Sequence, residues 1–302
     1  MSIYVEIRVR GPLDELWRRT QQPELHERWD LRFSEIVYRP RPDEAAPQQF
    51  HYATRIGFGL RIQGEGQSEG SRVGASGERV SALTFWSDDP KSLIRDGSGY
   101  WRYVPTADGI RFLTWYSYRT RFGLPGRLLD TLVFRPLMGW ATAWSFDRLR
   151  LWIEHGIDPA ISGQRSLVHA IARSSLALVF LYQGLVPKLL YRHPTELAML
   201  LDAGVPGSIA ETVLLSIGLG EVAFAGVLLA AWRTRCALAA TAILMPVALA
   251  AVAGGSPGFL VTAFNVVTLN LAVAALALVG WATGRDLPSA ARCLRTRPAS
   301  EP

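Results

Sequence analysis

The chain has 302 residues, is 49% apolar and carries a formal charge of +6 at neutral pH. Its two cysteines, Cys236 and Cys293, exclude a disulfide framework and a cysteine-rich metal module. Lys91 and Lys188 are the only lysines, and the many arginines alternate with acids rather than forming a basic block. That pattern argues against a nucleic-acid partner and leaves attraction to a membrane surface as a use for the surplus charge.

Ile3, Val5, Ile7 and Val9 alternate with polar residues, the period of a half-buried strand that Gly11 and Pro12 end. The N-terminus has no continuous apolar core, so neither a signal peptide nor a transit peptide is expected. Residues 14–20 and 23–29 read as short helices. Strands are expected over 34–38, 50–58, 60–68, 78–86, 99–104 and 110–120, with Asp108-Gly109 as the last hairpin turn. Residues 128–152 form a terminal helix interrupted at Pro136. This order predicts an α+β helix-grip domain over 1–157, in which a curved sheet wraps one long helix and encloses a cavity.

Two stretches carry a family likeness. The opening VEIRVRGPLDELWRRTQQPELHERWD and the closing GWATAWSFDRLRLWIEHG resemble the START-like, or SRPBCC, superfamily, which includes polyketide cyclases and lipid-transfer domains. The resemblance covers residues 2–156 and implies a cavity for a hydrophobic small molecule or lipid, not a reaction. Strand parity nominates the lining: Phe50, Tyr52, Ile56 and Phe58 on one strand, Phe112, Tyr116 and Tyr118 on another, and Trp144 on the helix. The same aromatics would equally fill a solid core, and both readings stay open.

No catalytic constellation appears. His26, His51 and His155 are scattered, and there is no Ser/His/Asp, zinc-protease or dinucleotide motif. A cyclase-like reading would need polar pairs in the cavity, for which Tyr52, Tyr116 and Arg102 are the candidates. No cofactor is identifiable from the residues. Residues 122–134 gather leucines beside Arg127, either as an ordinary helix face or as an amphipathic segment lying in a membrane interface.

Beyond Leu167 the composition changes. Apolar runs over 167–186, 208–231, 236–253 and 259–282 are each long enough to cross a bilayer. The second is apolar around its whole circumference, with only Glu211 and Glu221 charged. The expected layout is a soluble domain (1–157), a linker (158–166), an all-α four-transmembrane-helix bundle (167–284) and a tail (285–302). So short a linker keeps the soluble domain near the bilayer. Arg165, Arg233, Arg235, Arg285, Arg292, Arg295 and Arg297 fall on the side that holds both termini, which places that side in the cytoplasm of a bacterial inner membrane.

The membrane half resembles the DoxX-like family of four-span proteins through Gln183-Gly184, Pro187-Lys188-Leu189 and Gly220-Glu221. That group includes subunits associated with thiosulfate:quinone oxidoreduction, so the resemblance implies a quinone and an oxidoreductase partner as an alternative to simple ligand binding. At 1.5 Å per residue, Glu221 would lie about 20 Å deep and Asn270 about 17 Å deep, close enough to meet. Gln183, Glu211 and Asn265 would share a layer nearer the surface, within reach of Lys188. The six residues Gln183, Lys188, Glu211, Glu221, Asn265 and Asn270 are the expected intramembrane polar site, acting as a binding site or as an interhelical clamp. Arg173 is expected to snorkel to the cytoplasmic surface.

Overall fold

A computed structural model of the protein describes residues 2–43 and 46–298; positions 299–302 of the expected tail lie outside the described residues. Two compact units make up the chain: Met1–Gly163 together with Pro288–Pro302, and Gln164–Leu287.

In the first unit, β1 (Ile3–Val9) is followed by helices α1 (Leu13–Gln21) and α2 (Pro23–Trp29). Then come β2 (Glu35–Tyr38), β3 (Gln49–Gly57), β4 (Leu60–Val73), β5 (Arg79–Trp86), β6 (Ile94–Thr106) and β7 (Gly109–Thr120). A short helix α3 (Gly123–Leu129), a π-helical turn (Asp130–Phe134) and the long α4 (Arg135–His155) complete the order. The seven strands form one antiparallel sheet, β1-β7-β6-β5-β4-β3-β2. The expected helix-grip arrangement is therefore present. Alternation decides what it buries: Val5, Ile7, Val9, Ile110, Phe112, Tyr116 and Tyr118 turn to one side and meet Ala143, Phe146 and Leu149 of α4.

Two strands exceed their expected bounds because each contains a bulge. β4 continues to Val73 past an irregularity between Ser68 and Gly70, where Gly70 has φ +102°. β6 starts at Ile94 rather than residue 99, with a bulge before Asp96. An extra residue in a strand resets its side-chain parity and erases the alternation by which a strand is read.

The C-terminal segment is not a free tail. Leu294 and Glu6 exchange backbone hydrogen bonds of 2.9 Å in both directions, so the segment covers the edge of β1. Asp147, fully buried on α4, accepts from Arg292, Arg150 and the backbone N–H of Ser289, each at 2.7 Å. Residues 159–166, expected as a linker, are helical instead. Asp158 caps them, its carboxylate accepting the Ala160 N–H at 2.8 Å.

The second unit contains four helices long and apolar enough to span a membrane: Pro159–Leu190, Gly207–Ala230, Cys236–Gly255 and Val266–Thr283. The first comprises α5 (Pro159–Gln183) and a π-helical extension (Gly184–Leu190); α6 (Pro194–Asp202) follows, then α7, α8 and α9 as the remaining spans. Only 22–33% of each apolar window is buried, which leaves most side chains facing outward as lipid contact requires. The core is built from Leu176, Phe180, Leu228, Leu238 and small residues such as Ala225, Ala274 and Ala277, which allow close helix approach. The last span starts later than expected, because 257–261 is a 3-10 turn and Asn265 caps α9 by accepting the Thr268 N–H at 2.9 Å.

Candidate functional site

Pro187 cannot donate a backbone hydrogen bond, and the helix around it widens. Tyr191 N–H reaches back five residues to the Val186 carbonyl at 3.0 Å, and Gly184–Leu190 is π-helical. Lys188 is buried on this turn. Its Nζ lies 3.0 Å from Glu221 Oε2 on α7, 3.6 Å from Glu196 Oε2 on α6 and 3.3 Å from the Gln183 carbonyl oxygen. The ammonium of Lys188 is the charge partner of Glu221 in this contact.

Glycines permit this packing. A Cβ on Gly184 would stand 2.6 Å from the Gly218 carbonyl oxygen, and one on Gly218 would stand 2.9 Å from Lys188 Cβ. Beside the cluster is a pocket of 420 Å³ whose walls include Tyr182, Gln183, Tyr191, His193, Thr195 and Glu196. Gln183 and Glu196 thus belong both to the surroundings of the Lys188 ammonium and to the wall of the pocket. Together these groups supply donors and acceptors at the end of an otherwise apolar span.

Of the six expected polar residues, the structure gathers Gln183, Lys188 and Glu221. Glu211 instead pairs with Arg192 at 2.7 Å, both more than half exposed. Asn265 is occupied as the cap of α9, and Asn270 lies one turn into that helix rather than at mid-depth, because the span starts at Val266. Glu196 was not anticipated. Its signal was the His193-Pro194 start of α6, which puts the glutamate in the first turn of a helix between spans. Arg173 does not snorkel. It is fully buried and donates to the carbonyls of Ala231 at 2.6 Å and Thr234 at 2.5 Å, closing the C-terminal end of α7. His169, also unanticipated, is buried with Nδ1 2.8 Å from the Gly280 carbonyl oxygen.

In the first unit, the aromatics nominated as a lining pack largely against other aromatic rings. Phe112 stacks on Phe146 at 4.4 Å and lies 4.9 Å from Tyr103; Trp29 is 6.1 Å from both Trp101 and Phe146. Tyr116 shares a 3.0 Å hydrogen bond with Thr142, and the half-buried Trp144 stacks with Trp140. Phe50 and Tyr52 lie flat across the sheet on Gly66 and Gly64, their register partners in β4. Phe85 covers Gly97 in the same way. Ile56 and Phe58 line no interior: both are exposed at the β3–β4 hairpin, where Phe58 has φ +50° between two glycines. Nor do the cyclase candidates converge. Arg102 pairs with Glu78 at 2.8 Å, whereas the Tyr52 hydroxyl is 3.5 Å from the Trp86 carbonyl oxygen.

The unit has a polar cleft of 510 Å³, with Tyr118, Arg119, Arg127, Asp130 and Arg135 in its walls. Tyr118 donates to buried Asp130 at 2.7 Å, and Arg135 holds the same carboxylate through two bonds of 2.9 and 2.6 Å. Burial and the Asp130 hydrogen bond push the Tyr118 phenol upward. Among the described residues there is no cluster of three metal-ligating side chains.

The DoxX-like family profile matches residues 177–278. An uncharacterized membrane protein of Bacillus subtilis (strain 168), YndG, is 50% identical over 184 residues, covering 60% of this chain and 68% of the relative. Among solved structures, the STAR-related lipid transfer protein of Xanthomonas axonopodis is 15% identical, with a TM-score of 0.39, 50% of this chain and 85% of that chain covered. Zhui aromatase/cyclase from Streptomyces sp. R1128 is 13% identical, with a TM-score of 0.36, 50% of this chain and 96% of that chain covered. At 50% identity across two thirds of the relative, the chain belongs to the family of the membrane protein YndG, and its spanning half is DoxX-like.

Proposed function

We propose that this membrane protein binds a lipophilic small molecule with a carbonyl- or hydroxyl-bearing head, as quinones have, at the Lys188 pocket of its four-span unit. The observation that carries the reading is the buried Lys188 with the half-buried Glu221 and Glu196 around it, a cluster opening, through Gln183 and Glu196, onto a 420 Å³ pocket. An ionisable group inside a spanning bundle is costly to keep unless it is paired or used. Binding by the soluble unit is a second reading, and it draws on the cleft at Tyr118 and Asp130 rather than on the aromatic face. The same proposal has the protein in a bacterial cytoplasmic membrane with both termini inside, a reading that its arginine distribution supports.

Full-length protein in phosphatidylcholine nanodiscs, titrated with a short-chain ubiquinone analogue and followed by tryptophan fluorescence, tests the reading. Saturable binding, weakened at least tenfold by Gln183→Leu or Glu196→Gln in folded protein, supports it. No saturable binding, or binding indifferent to both substitutions, overturns it. Loss of binding in Tyr118→Phe alone would favour the soluble cleft instead. A redox role with a separate oxidoreductase requires in addition that quinone reduction in membranes fall on Glu221→Gln.

A further inference from the structure

The surface of the soluble unit carries an apolar stripe that its own fold does not cover. Along α3, the π-helical turn and the start of α4, Leu124, Leu128, Leu129, Leu132, Val133 and Leu137 all point outward. Leu124 is 77% and Leu132 67% exposed. The opposite face of the same segment is satisfied: Asp130 is buried beneath Tyr118 and Arg135, and Phe134 and Met138 pack on the core. The segment is thus held in place by one side while its leucines, spaced mainly four apart, form a continuous ridge on the other. A ridge of this size on a soluble surface marks a contact with something apolar.

Its entrance is also specified. Phe122 and Gly123 have φ of +66° and +57°, a left-handed turn that is unfavourable for phenylalanine and leaves its ring 57% exposed next to the ridge. On the other side of the ridge, the cleft brings Arg95, Arg119, Arg127 and Arg135 together. Asp130 neutralises Arg135, and a single carboxylate, Asp96, faces both Arg119 and Arg95, at 2.6 and 3.7 Å. Among the described residues Arg127 makes no ion pair. Four arginines therefore face two carboxylates, a surplus of two positive charges, and Arg127 beside the leucines is the arginine that faces no carboxylate among the described residues.

From this arrangement we infer that the ridge docks the soluble unit onto an anionic bilayer, with Leu124, Leu128 and Leu132 in the upper acyl layer and the arginines against lipid phosphates. An interfacial helix needs an apolar face and a cationic border, and both are present in one segment. Trp140, 42% exposed at the end of the ridge, is the residue type that settles at the headgroup level. The arginine surplus calls for an anionic surface, and the four helices of the same chain long and apolar enough to span a membrane make lipid that surface. The inference is independent of the Lys188 pocket.

Spin labels on the full chain test it, with Cys236 and Cys293 replaced by alanine and single cysteines placed at Leu128, Leu132 or, as a solvent control, Phe58. The protein is placed in nanodiscs of phosphatidylcholine alone or with 30% phosphatidylglycerol, and collisional access to oxygen and to a water-soluble nickel complex is read by electron paramagnetic resonance. In the anionic discs, labels at Leu128 and Leu132 are expected to favour oxygen while Phe58 stays aqueous; Arg127→Gln should reduce the docked-to-undocked ratio about fivefold. Aqueous behaviour at Leu128 and Leu132 in anionic discs would overturn the proposal. So would shielding from both probes, which means that protein covers the ridge, or equal docking in discs without anionic lipid. Binding of quinone at Lys188 is unaffected by any of these outcomes, so the two readings fail separately.

Discussion

Lys188 Nζ and Glu221 Oε2 stand 3.0 Å apart, joining the π-helical turn after α5 to the middle of α7. Neither side chain is more than about a quarter exposed. Lys188→Met would strand two carboxylates without their counter-charge, and breaking such a pair from one side costs about 3–5 kcal/mol. The double variant Lys188→Met/Glu221→Leu should recover most of that loss. Thermal unfolding in detergent across the four-variant cycle measures the coupling.

A second expectation concerns the glycines under the aromatic rings. A Cβ on Gly66 would lie 2.3 Å from Phe50 Cζ, and one on Gly64 equally close to the Tyr52 ring. Gly66→Ala should therefore destabilise the first unit by about 1–3 kcal/mol through overpacking. Combining it with Phe50→Leu should relieve part of the penalty. Denaturant titration followed by tryptophan fluorescence distinguishes the two.

Acid should loosen the α2–β2 corner. Asp30 is fully buried, which works to raise its pKa, yet Arg32, with bonds of 2.9 and 2.6 Å, and His26 at 3.0 Å outweigh burial and hold the carboxyl well below the usual carboxylate range. With the folded value below the unfolded one, the stabilisation is complete above the unfolded pKa of about 3.9 and disappears as pH falls toward the folded value. Asp30→Asn should lower stability at pH 7 and flatten the acid limb of the stability curve below about pH 4.

Arg173 satisfies two carbonyls at once, Ala231 and Thr234, across the turn between α7 and α8. Lysine has no planar fork to match them. Arg173→Lys is expected to lower the unfolding temperature nearly as much as Arg173→Met. Near-complete rescue by lysine would show that charge alone is needed.

Deleting residues 288–302 should destabilise the first unit more than any single surface change. It uncovers the β1 edge at Glu6 and removes two of the groups that donate hydrogen bonds to buried Asp147. Hydrogen exchange at β1 and α4 should rise in the deletion, with Arg292→Ala giving a smaller effect of about 1 kcal/mol because its side chain is half exposed.

Much of the architecture was readable in advance where one local rule acted alone. β1 and β7 announced themselves by alternation, α2 by Pro23 at its start, and the spans by length and unbroken apolarity. The bulged parts of β4 and β6 were hidden, since one added residue reverses parity. At the candidate site, Lys188, Gln183 and Glu221 could be nominated because polar residues are conspicuous in apolar runs. Glu196 could not, for in a connecting segment a glutamate is unremarkable until α6 folds back beside Lys188.

The sequence by itself determined the division into an α+β unit and a bundle of four apolar helices, because periodicity and hydropathy are local properties of the chain. Only the tertiary structure decided which polar groups meet, since contacts between α5, α6 and α7 depend on where each helix starts and how closely Gly184 and Gly218 let them approach. It also decided that Phe112 and Phe146 stack as core, and that the leucines after Phe122 lie outside it. An apolar side chain looks the same in sequence whether it faces a core, a ligand or lipid, and packing alone separates those fates.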